Sequence, residues 1–172
     1  LVHVAAYTQP ADFDSTFGLN GKLVTRVGDL SIATGKQLLL QPDGKIIMVG
    51  QQAYYHNCVM MRYLPNGEID SSFGKHGYVK NKDGGGDAFG SPRAALQEDG
   101  KIVVIGLTDI YPEHFVISRY LPDGSIDLSF AQNGYAYHVI EGSPTSGAAV
   151  AVQKSGRIIG TGKIEFKEDT TL

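Results

Sequence analysis

The chain is 172 residues long, one domain's worth, with 42% apolar residues, 22 glycines, no tryptophan and a net charge of −3. No run of basic residues marks a nucleic-acid footprint, and no apolar run reaches the ~18 residues of a membrane span. A single cysteine, Cys58, excludes an internal disulfide; lying in Cys58-Val59-Met60-Met61, it reads as a small buried hydrophobe.

In chain order, Leu1–Tyr7 reads as a strand, followed by a second from Asp12 onward. Lys36–Gln41 and Lys45–Gln51 are apolar runs separated by Pro42-Asp43-Gly44. Pro ahead of a glycine in the left-handed position suits a type I turn with a G1 bulge, which predicts a hairpin with Gln41 opposite Lys45. Cys58–Leu64 is the next strand, Pro65-Asn66-Gly67 repeats the turn, and a fourth strand is predicted from Glu68 through Asp70 toward Phe73, resuming at Tyr78-Val79-Lys80. The series recurs as Pro92–Gln97, Asp99-Gly100, Lys101–Gly106, Phe115–Leu121 and Pro122-Asp123-Gly124. It ends with Ala148–Gln153 and Arg157–Gly162. No segment carries a capped helical period, so almost no helix is expected.

The recurrence has a fixed period, since Gln41, Gln97 and Gln153 stand 56 residues apart. Each is followed by a glycine turn: Gly44 and Gly100 close the first hairpin of a repeat, Gly67 and Gly124 the second. Four short antiparallel strands per ~56 residues is the pattern of a propeller blade, whereas solenoid repeats are shorter. The fold class expected is therefore all-β, a β-propeller of four-stranded antiparallel blades. About three blade equivalents are expected in one domain over 1–172, with repeats near 14–69, 70–126 and 127–172 and residues 1–13 ending a preceding repeat. Two blades are whole; the N-terminal and C-terminal segments are complementary halves.

The hairpin register places Arg62 opposite Asp70 and, one repeat later, Arg119 opposite Asp127; opposed unlike charges on one sheet face read as a structural staple. The leading segment breaks this pattern, with Ala6 opposite Asp14.

The string Asp14-Ser15-Thr16-Phe17-Gly18, Leu40-Gln41-Pro42-Asp43-Gly44-Lys45-Ile46 and Arg62-Tyr63-Leu64-Pro65-Asn66-Gly67-Glu68-Ile69-Asp70 resembles the delta-60 repeat of bacterial, often secreted, proteins. Residues 91–130 carry it again, and the last copy drifts, with Ser155, Arg157 and Ala131 in place of Asp, Lys and Gly. The resemblance implies a β-propeller in a bacterial secreted or surface protein and brings no catalytic residues.

Sequence variation between repeats concentrates in the loops at the end opposite the tight turns: Gln52–Asn57, Thr108–His114 and Lys163–Leu172, together with Gly28–Gly35, Lys82–Ser91 and Glu141–Gly147. Binding sites are usually built in such loops. Tyr54, Tyr55 and His56, with Asp109, Tyr111, Glu113 and His114, are the candidate ligand contacts, suited to stacking on a sugar ring or a peptide side chain. The function expected is a non-catalytic recognition, adhesion or scaffold module for a protein or glycan. The alternative is a propeller hydrolase or lyase with a metal on the axis, using Asp29, Asp83, Asp87, Asp109, Glu113, His114 or Glu141. No Asp-x-Asp, His-x-x-x-His or nucleophile–His spacing supports it; no catalytic residue is nominated, and Ca²⁺ at Asp83-Gly84-Gly85-Gly86-Asp87 is the one cofactor weighed. For partners, the unmatched halves leave two readings: a second copy completing a six-bladed ring, or missing blades of a longer chain.

Overall fold

Runs such as Ile46-Ile47-Met48-Val49 and Cys58-Val59-Met60-Met61 are apolar at every position rather than at alternate ones. A strand needs that only when both faces of its sheet are covered. The computed structural model describes residues 2–8, 12–26, 33–52, 57–81, 90–108, 114–138 and 143–165, and there the sheets are stacked face to face.

Twelve strands are found among the described residues: β1 Val2–Ala5, β2 Lys22–Thr25, β3 Ala33–Leu40, β4 Ile46–Gln52, β5 Cys58–Tyr63, β6 Tyr78–Lys80, β7 Gly90–Leu96, β8 Ile102–Leu107, β9 Phe115–Tyr120, β10 Tyr135–His138, β11 Ser143–Val152 and β12 Ile158–Glu165. They form two four-stranded antiparallel sheets, β3-β4-β5-β6 and β7-β8-β9-β10, and two two-stranded ones, β1-β2 and β11-β12. No helix occurs among the described residues. The sheets meet most extensively through their first strands, β7 packing against β3 and β4 on one side and against β11 on the other. On β4, Ile47 and Val49 enter a core shared with Ala94, Ile102, Val104 and Val116 of the following sheet. Met48, between them in sequence, faces the preceding sheet and packs with Val4 and Phe17. Alternate residues of one strand thus belong to two cores, which is why the runs do not alternate in polarity.

The first hairpin turn is as the sequence predicts: the Gln41 amide donates to the Lys45 carbonyl, the Gly44 amide donates to the Gln41 carbonyl, and Gly44 has φ 82°. The residue before each glycine spans it, Asp43 Oδ1 accepting from the Lys45 amide, Asn66 Oδ1 from Glu68, Asp99 Oδ1 from Lys101 and Asp123 Oδ1 from Ser125. This is the Asx geometry that makes Asp and Asn favoured turn residues.

The fourth strand departs from the expectation. Ile69 forms an isolated bridge to Tyr63, and Asp70–Gly77 is mostly turns with one further isolated bridge, Lys75 to Tyr78, so the strand proper is Tyr78–Lys80. The cause is local: Asp70 Oδ1 accepts from both the amide and the hydroxyl of Ser72, which curls the backbone before it can extend. Asp14 with Thr16 and Asp127 with Ser129 do the same. In the leading segment, likewise, the paired strand is Lys22–Thr25 rather than one beginning at Asp12.

Gly124 has φ 88°, and a Cβ there would lie 2.7 Å from Val79 Cγ2 and 2.9 Å from Phe73 Cε2, in the neighbouring sheet. Gly156 has φ 82° at the last turn, with nothing within 4 Å of its Cβ position. Gly156→Ala therefore meets only the left-handed backbone cost, about 1 kcal/mol, whereas Gly124→Ala adds an inter-sheet clash and should cost about 3 kcal/mol or more. Denaturant unfolding of the two variants checks the ranking; equal losses would refute this account of sheet-to-sheet packing.

Candidate functional site

The conserved-looking chemistry of the repeat gathers at the tight-turn end. Arg62 Nε donates to Asp70 Oδ2 at 2.8 Å, Nη2 to Ser72 Oγ at 3.1 Å, and Nη1 crosses to the next sheet to reach the Pro122 carbonyl at 2.6 Å. Its guanidinium carbon lies 4.7 Å from the Phe73 ring centroid. Lys45 Nζ adds a second cation 3.4 Å from Asp70. The backbone follows the same route, the Gly74 amide donating to the Asp123 carbonyl and, one repeat earlier, the Gly18 amide to the Asn66 carbonyl. Arg119 repeats the core of the arrangement, with Nε 2.8 Å from Asp127 Oδ2 and the guanidinium carbon 4.6 Å from the Phe130 centroid. The sequence placed each Arg opposite its Asp but did not reveal the bond to the next sheet. The signal for it was present: a guanidinium carries five N–H donors, more than one carboxylate can satisfy.

Burial pushes the Asp70 carboxyl up, but the Ser72 hydroxyl and amide, Arg62 and Lys45 outweigh it and hold the group down at about 2. The Ser129 hydroxyl similarly lowers Asp127, against the opposing effect of burial. These are the properties of carboxylates kept ionised to hold a framework, not of groups poised to exchange protons near neutrality. Cys58 is buried, and burial alone raises its thiol to about 12, so it is no nucleophile at neutral pH.

The loop-bearing end is anchored by buried polar groups. The Gln52 amide donates to the Asn57 carbonyl at 2.9 Å, and Asn57 Nδ2 donates to Gln52 Oε1 at 3.4 Å. One repeat on, the Thr108 amide donates to the His114 carbonyl at 3.0 Å, and the His114 amide donates to Thr108 Oγ1 at 3.0 Å. Gln52, Asn57 and Thr108 are all buried. These anchors are residues that sequence reasoning passed over, because their polarity resembles that of the loops they close. Of the seven predicted ligand contacts, His114 is placed, half-buried, at the foot of β9; Tyr54, Tyr55, His56, Asp109, Tyr111 and Glu113 lie outside the described residues. So do Asp29, Asp83, Asp87 and Glu141. Among the described residues, no group of three or more His, Cys, Asp or Glu side chains is arranged to hold a metal.

Gln37 was also missed: it clamps β3 to β7, its Nε2 donating to the Ala94 carbonyl and its Oε1 accepting from the Ala94 amide, both at 2.8 Å. The equivalent residues are Arg93 and Ala149, so repetition gave no hint of it.

Replacing Arg62 by methionine should cost about 2–4 kcal/mol, since it leaves Asp70 charged and a carbonyl of the next sheet without its donor. Arg62→Lys should recover less than half of that, lacking the fork that serves three acceptors. Denaturant midpoints measure both; full rescue by lysine would show that charge alone matters.

Asp70 has the opposite lever in acid. Its native value is depressed, so its contribution is complete above the ordinary carboxylate value of about 4 and is lost as pH falls toward about 2. The melting temperature should fall steeply across that window, and Asp70→Asn should flatten the slope there while lowering stability at neutral pH.

A family model described as "Domain of unknown function (DUF5122) beta-propeller" matches residues 41–73 and 97–130. Each match starts at the first tight turn of a repeat, at Gln41 or Gln97, and runs through the second to Phe73 or Phe130, which is part of the stretch that carries the delta-60 resemblance. No curated protein matches the chain.

Proposed function

We propose that this chain, whose residues 41–73 and 97–130 are DUF5122 β-propeller repeats, is a non-catalytic recognition module that presents unlike loops on a regular scaffold to a protein or glycan. The observation that carries the reading is the pair of loop bases. Gln52 with Asn57, and Thr108 with His114, close two loops of different sequence by the same backbone bond, each reinforced by a buried side chain. A rigid, repeated base under a non-repeated loop is the division of labour by which scaffolds acquire binding sites. The aromatic content of those loops, Tyr54, Tyr55 and Tyr111, suits contact with a sugar face or a peptide side chain at low conformational cost. The opposite end offers no comparable freedom, because its turns are occupied by the Arg62–Asp70–Pro122 linkage and its counterparts.

The test is a glycan array and an array of purified bacterial surface proteins, each probed with the wild-type chain and with Tyr55→Ala and Tyr111→Ala variants. A selective hit weakened at least tenfold by these substitutions, with unchanged melting temperature, supports the reading. Binding that the loop variants leave untouched would overturn it, as would a chain that engages nothing on either array.

A further inference from the structure

We propose that the recess between the sheets β3-β4-β5-β6 and β7-β8-β9-β10 binds a small uncharged molecule that carries a hydroxyl on an apolar body, an alcohol or a phenol. Both sheets that wall it are whole. It shares no residue with the loop contacts proposed above and does not rest on them.

The recess holds about 500 Å³, within the range of small-molecule sites. Val79, Ile126 and Leu128 give it apolar walls, and Asn81, Tyr120 and Tyr135 bring polar groups. Strand pairing fixes the direction of these residues. Ser118 and Tyr135 are cross-strand partners and share one face of their sheet, and alternation puts Val116 and Tyr120 on that face too. Val116 and Tyr120 belong to the core shared with the preceding sheet, and Tyr135 packs against it. From that preceding sheet, Val79 pairs with Met60 of the same core, so Asn81, two residues on, faces the same way. Lys80 is the one charged residue among the described residues of the wall. It pairs with Val59, which belongs to the core on the opposite face, so its side chain is directed away from the recess.

The interface one repeat earlier differs at the decisive position. There Met61, Tyr63 and Tyr78 stand in the places of Ser118, Tyr120 and Tyr135. The Tyr63 hydroxyl donates to Met61 Sδ at 3.7 Å, so the thioether occupies the space beside it. The recess at that interface has neither Tyr63 nor Tyr78 in its wall. Serine is much shorter than methionine, and where it replaces the thioether both tyrosines become part of the wall.

The exchange also leaves a buried oxygen unmet. Ser118 is 0% exposed and its Oγ makes no hydrogen bond. The Tyr120 hydroxyl is its neighbour, but the two are not in hydrogen-bonding geometry. A buried hydroxyl without a partner carries a desolvation cost that a ligand's hydroxyl would offset.

The absence of charge in the ligand follows from the same walls. Burial first, then the nearby Cys58 thiol and Tyr135, hold the Tyr120 phenol well above its usual range. An anion set beside it would meet the same penalty, and a cation would find no carboxylate among the described residues of the wall. A hydroxyl both donates and accepts, which suits a site whose polar groups are hydroxyls and an amide.

The experiment titrates the ¹⁵N-labelled chain with benzyl alcohol, toluene and benzoate and follows amide shifts. Benzyl alcohol should bind saturably and one to one, with a dissociation constant of about 1 mM or tighter, and should shift Ser118, Asn81 and Tyr135 most. Toluene, which lacks the hydroxyl, should bind about fivefold more weakly or worse, and benzoate should not saturate. Ser118→Met, which installs the residue of the preceding repeat, should weaken benzyl alcohol roughly tenfold or more by filling the space. Tyr135→Phe, which keeps the ring, should weaken it about threefold or more and carries the test if Ser118→Met does not fold. No saturable binding of benzyl alcohol, shifts centred away from the recess, equal binding of benzoate, or an affinity that the folded variants leave unchanged would each overturn the proposal.

Discussion

The fold depends on an arginine that is shared between sheets. A four-stranded sheet of short strands cannot stand alone in water, because both of its faces are apolar and each face needs a neighbour. Burial against that neighbour is strong but non-directional, and it does not decide how the sheets are aligned. Arg62 supplies the direction. Its carboxylate partner is in its own sheet, its carbonyl partner is in the next, and the Phe73 ring under it fills the space beneath the Gly124 turn. One side chain thereby ties the end of one hairpin to the start of the next sheet's hairpin, at a spacing set by bond lengths rather than by contact area.

That constraint explains why the tight-turn end repeats so faithfully while the other end varies. The turns Pro65-Asn66-Gly67 and Pro122-Asp123-Gly124 must offer a carbonyl outward and admit a phenylalanine ring inward, so that glycine, Asx residue and proline are all held in place at once. At the loop end, only the closing bonds recur, between the Gln52 amide and Asn57 carbonyl and between the Thr108 amide and His114 carbonyl.

Much of the architecture was legible in the residues, for identifiable reasons. Glycine turns announce themselves because few residues tolerate positive φ, and the 56-residue period then assigned like roles to like positions. The Arg–Asp register followed from the turn geometry alone. The fourth strand was misread because Asp70-Ser71-Ser72-Phe73 has the mixed polarity of an edge strand, and only the bonds from Ser72 to Asp70 reveal it as a turn. Gln37 was invisible because it works at one repeat position out of three and has no counterpart to flag it. The candidate ligand contacts were nominated on variability and aromaticity, and of them only His114 falls among the described residues.

The same shared-arginine logic bears on the outermost of the described sheets. In a stack where each sheet covers the next, interior members have every requirement met by a neighbour, and the terminal members have half of theirs unmet. Solenoids resolve this by changing the terminal repeats into polar caps. In the outermost described sheets Tyr7, Val24 and Ile159 are exposed, whereas Tyr63 and Ile47, at the repeat positions of Tyr7 and Ile159, are buried. The drift that has occurred is of another kind. Ala6 replaces the arginine at the leading end, so that half-sheet makes no forward linkage of the Arg62 type, while Arg119 at the trailing end retains its ion pair and its stacked Phe130. The outermost described sheets thus retain apolar positions and an ion pair rather than exchanging them for solvated charge.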